Sequence, residues 1–333
     1  MSALAIKTRI LFALKLAVTV LLCVVILWNA DWIALTQTFR KVDVLLLLVV
    51  FVCMVLCVTL SAYKWQSLLK IHDAEFGFNK LHKYYFIAMF FNNFLPTSIG
   101  GDGYRIYKTL DNDRSRTSAV VAVLMERISG ILSLMCIGYL GGIAGYLLHG
   151  NPLSKYVVYI GSVGLALSIP IVFLLHHGKL LQRLKHWKRF PAALRKVTGL
   201  LGDYSRKPIQ SFWIVIISFV FHAFSLFWML TLIHAVGGSM SVFDLAVVSA
   251  LLSVIAIVPL SINGIGLVDG SFIYLAGQFG LGYEIALMVM LLHRALLIPI
   301  SLVGGIFYAL TRRDAPDKEV VQVDGLSSTK GSY

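Results

Sequence analysis

Apolar residues in this chain come in long blocks separated by short polar gaps. Blocks near residues 11–28, 44–62, 119–148, 156–175, 212–235 and 285–310 approach or exceed the about 20 residues a helix needs to cross a hydrocarbon core. Each predicts a full span. Three pieces are shorter: 84–95 stops at Pro96, 243–260 leads into the break that begins with Pro259, and 267–279 follows Gly266. The pattern predicts that 84–107 dips into the membrane and returns, and that 243–279 does the same. For the second dip, two full spans joined by the break are an alternative, since 243–260 is nearly long enough.

Both dips turn on one repeated pattern. The first copy is Pro96-Thr97-Ser98-Ile99-Gly100-Gly101-Asp102-Gly103 and the second is Pro259-Leu260-Ser261-Ile262-Asn263-Gly264-Ile265-Gly266; five of the eight positions agree. Proline removes a backbone donor and glycine relaxes φ, so Pro96, Gly103, Pro259 and Gly266 are read as breaks in helical structure. Non-helical backbone at membrane depth survives only inside protein or beside water. A pair of Gly/Pro-interrupted apolar segments, one in each half, points to a transporter-type site between repeats.

Composition and charge give the orientation. The chain is 58% apolar and 14% charged, an integral membrane composition with one domain over 1–313, in repeat halves of about 1–150 and 151–313. A retained first helix is preferred over a cleaved signal peptide. The net charge of +13 falls mainly in gaps between apolar blocks. It reflects topology and anionic lipid rather than nucleic acid, for which no motif is present. Lys64, Lys70, Lys80 and Lys83 precede the first dip; Arg105, Lys108, Arg114 and Arg116 follow it. Both flanks are therefore expected in the cytoplasm, with both termini and the basic 176–208 connection. Leu180, Leu181, Leu184 and Trp187 in that connection are spaced for a helix lying along the membrane surface. The flanks of the second dip lack lysine and arginine and read as external, as do the gaps holding Arg40, Lys41 and Lys155. The expected fold is an all-α polytopic membrane protein with about six full spans plus two re-entrant broken-helix hairpins in an inverted-topology repeat. The polar tail 314–333 reads as disordered. Gly138/Gly142 and Gly141/Gly145 are small-xxx-small pairs, suited to close helix contact within the monomer or between copies. Cys23, Cys53, Cys57 and Cys136 have neither metal-ligand nor disulfide spacing.

Charges inside the apolar blocks carry the candidate chemistry. Glu126-Arg127 and His293-Arg294 follow the two breaks at similar distances. A charge near mid-bilayer costs at least about 2.5 kcal/mol and needs a partner or a wet cavity. One reading is a fixed ion pair, Arg127–Glu126 or Arg127–Asp269. Adjacent helix residues point about 100° apart, which argues against Glu126 satisfying Arg127. The other reading is recognition of a phosphate headgroup by Arg127 and Arg294, helped by backbone donors of the helices starting near Gly101 and Gly264. Asn92, Asn93, Ser98, Ser261 and Asn263 are candidate headgroup contacts, or satisfy the broken backbone. Asp102 and Arg105 gate the first dip or pair with each other, and Asp269 is placed to balance Arg294. No metal or cofactor is predicted.

In combination, Asn93-Phe94-Leu95-Pro96, Gly100-Gly101-Asp102, Arg105, Tyr107, Glu126-Arg127, Pro259, Ser261, Gly264, Gly266 and Arg294 resemble the membrane domain of bacterial lysyl-phosphatidylglycerol synthases/flippases. The resemblance runs to about residue 310. It implies an inner-membrane lipid translocase with paired re-entrant segments. Asp269 stands where that family often has glutamate. No soluble acyltransferase-like domain is read, so aminoacyl-lipid synthesis does not carry over. The expected function is a flippase for an anionic phospholipid or related lipid phosphate, not an enzyme. Alternatives are a translocase for polyprenyl-phosphate-linked sugars, a membrane glycosyltransferase using Asp111-Asn112-Asp113, and a non-catalytic partner of a lipid-modifying enzyme.

Overall fold

The computed structural model describes residues 3–94, 100–109, 113–176, 203–204 and 206–313. Pro96, Thr97 and Ser98, the Asp111-Asn112 pair, the predicted surface helix with Leu180, Leu181, Leu184 and Trp187, and the tail 314–333 lie outside the described residues. Those described form eleven α-helices and one 3-10 turn, with no strand among them. They are α1 (Ala3–Trp28), α2 (Trp32–Arg40), α3 (Val44–Ile71), α4 (Phe78–Phe94), α5 (Gly100–Lys108), α6 (Asp113–His149), α7 (Pro152–His176), α8 (Pro208–Ala235), α9 (Val242–Ile255), α10 (Leu267–Gly277) and α11 (Tyr283–Arg313).

Five stretches among the described residues are long and apolar enough to cross a membrane: Ile10–Trp28, Val44–Ile71, Thr117–His149, Pro208–Ala235 and Tyr283–Thr311. The sixth predicted span falls on α7, whose 25 residues are also long enough at about 1.5 Å per residue. Large apolar side chains such as Ile33, Leu45, Phe212 and Ile306 face outward, as they do where the surrounding solvent is lipid. The predicted polar gap between the first two spans instead contains a short helix. Asp31 caps α2 by accepting from Ile33 N (2.9 Å) and Ala34 N (3.1 Å), and Asp43 caps α3 in the same way. These carboxylates satisfy helix-start donors that have no intrahelical partner.

The segments at the two breaks are short. Helix α4 has 17 residues and α5 has nine; α9 has 14 and α10 has 11. Around the second break the backbone turns through Asn263 (φ 50°), Gly264 (φ 71°) and Gly266 (φ 78°), left-handed values that asparagine and glycine tolerate best. Pro259 and Gly266 therefore lie at a genuine interruption. The predicted break at Gly103 is not one. It lies inside α5, whose interior tolerates a glycine where no side chain has to pack.

Packing is reciprocal between the halves. Helix α3 lies along α8; α4 lies against α11, and α9 lies against α6. Glycines allow the last two contacts. A Cβ on Gly304 of α11 would sit 2.0 Å from the Phe86 carbonyl oxygen of α4, and one on Gly138 of α6 would sit 2.3 Å from the Ala250 Cβ of α9. Gly142 and Gly145 meet Ser154 of α7, and Gly145 also meets Asp244 of α9. The small-residue stripe of α6 is thus spent within the monomer.

Candidate functional site

Helix α5 and the adjoining α4 are fastened to α6 by an ionic cluster. Asp102 and Arg105 lie one turn apart on α5, and Arg105 Nη2 donates to Asp102 Oδ1 at 2.6 Å. Arg105 Nη1 donates to Glu126 Oε2 at 2.7 Å, and the Tyr85 hydroxyl donates to Glu126 Oε1 at 2.9 Å. The Arg105 guanidinium also lies 4.6 Å from the Tyr85 ring centroid and 5.1 Å from that of Trp65. Its side chain is only 5% exposed. Burial of this kind is tolerated because two carboxylates and two aromatic faces surround the charge.

Arg127 belongs to the same cluster but is turned outward. Its Nε donates to Asp102 Oδ2 at 2.9 Å, its Nη2 donates to the same oxygen, and the side chain is 54% exposed. Neither of the predicted partners is correct: Glu126 is taken by Arg105, and Asp269 by Arg294. The roughly 100° between neighbouring helix positions sends Glu126 and Arg127 to different partners.

The second break carries a matching pair. Asp269 lies in the first turn of α10 and accepts the Gly266 amide at 2.9 Å. Arg294 Nε and Nη2 donate to its two oxygens at 3.1 Å each, the paired geometry guanidinium favours. In both halves an aspartate after the break bonds an arginine 25 residues later. Arg294 is 27% exposed on its side chain.

The two breaks also touch. Asn263 Nδ2 donates to Asn93 Oδ1 at 2.9 Å, and Asn93 Nδ2 donates to the Ser301 hydroxyl. These side chains link the halves instead of satisfying broken backbone. Asn92 does satisfy it, accepting from Gly101 N at 2.9 Å. The Gly101 amide is thus committed and is not a free donor for a headgroup; the Gly266 amide ahead of α10 is likewise committed to Asp269. Ser261 is buried, and its hydroxyl has no partner among the described residues. Ser98 lies outside them.

A cavity of about 440 Å³ opens beside this cluster, with Asp102, Arg105, Glu126 and Arg127 in its wall. Arg294 does not line it, so the two arginines do not share this cavity. His293 lines a second pocket of about 250 Å³ and stacks 5.2 Å from Trp228. The two spaces share Ser61, Tyr85, Met89 and Phe221, so a chamber with a charged cluster in its wall adjoins a more apolar one.

One residue of this wall escaped the hydropathy reading. Lys64, grouped with the cytoplasmic bases, lies inside α3, which continues to Ile71. Lys64 is 6% exposed, and its Nζ donates to the Glu126 carbonyl oxygen at 3.0 Å. Hydropathy ended the span at the first charge. The continuing helix was nevertheless visible in Trp65, Leu68, Leu69 and Ile71, whose spacing fits one buried face.

Long apolar helices enclosing paired charges beside an internal cavity define a multi-pass membrane protein. Its family is explicit. The model described as "Lysylphosphatidylglycerol synthase TM region" matches residues 12–304, and the chain belongs to that family, which ties it to membrane lipids. No curated protein and no solved structure matches the chain.

Proposed function

We propose that the protein is a flippase of the bacterial inner membrane that moves a lipid bearing an anionic phosphate headgroup. The observation that carries this reading is the Arg127 guanidinium, half exposed in a cavity that adjoins an apolar pocket. Guanidinium retains its charge on partial desolvation and presents paired donors to phosphate oxygens. Asp102 holds it in place through Nε and Nη2. The Nη1 end is left for a ligand.

In this reading the broken helices α4/α5 and α9/α10 are re-entrant hairpins of an inverted repeat. The recurring aspartate–arginine pairs support it, as do the reciprocal contacts of α4 with α11 and of α9 with α6. The less exposed Arg294 is then the counterpart of Arg127 in a state open to the other side. Rocking of the halves about the Asn93–Asn263 contact exchanges their roles.

Reconstituted vesicles test the proposal. With acyl-labelled fluorescent phosphatidylglycerol and an impermeant quencher, wild type should expose inner-leaflet label faster than empty vesicles. Arg127→Ala plus Arg294→Ala should slow this by roughly tenfold or more, the loss expected for charge-assisted contacts made in the rate-limiting state. Undiminished crossing in the double variant overturns the assignment.

A further inference from the structure

Lys64 stands in the cavity wall with no carboxylate bonded to it. Its ammonium meets the Glu126 carbonyl oxygen at 3.0 Å, while both Glu126 carboxylate oxygens are taken by Arg105 and Tyr85. A Cβ on Gly130 would lie 3.8 Å from Lys64 Nζ and 4.0 Å from His222 Nε2. The missing side chain thus keeps this end of the cavity open. A carbonyl satisfies one of three ammonium donors and none of the charge. The counter-charge nearest Lys64, the Glu126 carboxylate, is shared with Arg105; burying a cation so weakly balanced is costly, and an anion entering the cavity removes that cost.

The charge inventory says which anion. Among the described residues the wall holds three cationic side chains, Lys64, Arg105 and Arg127, against two carboxylates, Asp102 and Glu126. Both carboxylates are already engaged by arginine. A headgroup with its own ammonium would add a cation to a chamber with no free acceptor of matching charge. A phosphodiester without one neutralises the excess. The adjoining apolar pocket beside Trp228 and Leu297 takes hydrocarbon, which favours a lipid over a free phosphate ester.

We infer that Lys64 is a second headgroup ligand, acting with Arg127, and that the cavity selects a net-anionic phosphodiester lipid over a zwitterionic one. This rests on the headgroup reading above and deepens it by naming the ligand class and a residue outside the repeated aspartate–arginine pairs.

Equilibrium binding to the purified full-length protein tests it, with dihexanoyl phosphatidylglycerol, dihexanoyl phosphatidylcholine and diethyl phosphate as probes. Wild type should prefer the phosphatidylglycerol over the phosphatidylcholine by about tenfold, the worth of one charged hydrogen bond. Lys64→Gln keeps a donor for the Glu126 carbonyl. It should weaken phosphatidylglycerol binding by a similar factor, narrow the preference over phosphatidylcholine, and be rescued by Lys64→Arg. If Lys64→Gln binds phosphatidylglycerol like wild type, the Lys64 assignment falls while the headgroup reading stands. If wild type binds no phosphatidylglycerol, both fall. Diethyl phosphate bound as tightly as the lipid overturns the lipid assignment. Should Lys64→Gln fail to give monodisperse protein, the wild-type ratio decides: equal affinity for the two lipids overturns the selectivity.

Discussion

Arg105 and Arg127 share the carboxylate of Asp102 yet meet opposite surroundings. Arg105 is enclosed by two carboxylates and two rings, whereas Arg127 has one carboxylate and an open side. The same guanidinium therefore ties α5 to α6 in one place and opens onto the cavity in the other. Glu126→Gln removes a buried counter-charge and should lower stability by about 3 kcal/mol. Arg127→Gln breaks a half-exposed pair and should cost less than about 1 kcal/mol. Denaturant unfolding of the two variants in detergent checks the contrast; equal losses would mean that Arg127 is structural. The Glu126-Arg127 pair was legible in the sequence as a functional feature, because charge inside an apolar block has to be accounted for. Its partners were not, because a partner comes from another helix and local spacing says nothing of it. The pairing of Arg105 with Asp102 was legible one turn away on the same helix, whereas its second carboxylate and the two rings come from other helices.

At the scale of elements, hydropathy located the long helices and both interruptions. It stopped α3 too early, at Lys64, and missed α2 and its Asp31 cap. An apolarity average registers a buried lysine as an end and a short capped helix as a gap. Glycine is where element packing becomes testable. Gly304 lets α11 approach the backbone of α4, so Gly304→Ala forces two helices apart and should cost about 1–3 kcal/mol. Gly103 lies in α5 with nothing within 4 Å of its missing Cβ. Gly103→Ala should instead be neutral, or stabilising by up to about 1 kcal/mol through helix propensity. Thermal unfolding of both alanine variants is the measurement. A destabilised Gly103→Ala would place backbone against that position.

The whole molecule is organised by exchange between its halves: each broken segment packs on the long helix that follows the other break. An aspartate then bonds an arginine 25 residues on in both halves. In the inverted repeat proposed above, the two broken segments enter from opposite sides and meet where Asn263 donates to Asn93. The distribution of lysine and arginine in the loops supports the same proposal. The geometry therefore predicts four labelling outcomes. Single cysteines replacing exposed Glu75, Tyr107, Ser239 and Gln278, in a chain with Cys23, Cys53, Cys57 and Cys136 changed to alanine, are treated with a membrane-impermeant maleimide. Ser239→Cys and Gln278→Cys should react in intact cells. Glu75→Cys and Tyr107→Cys should react only after permeabilisation, because the proposal puts the lysine-rich flanks of α4/α5 in the cytoplasm. Labelling of all four from one side would leave the reciprocal contacts standing but remove the inversion. The alternating exposure of Arg127 and Arg294 would then have no geometric basis.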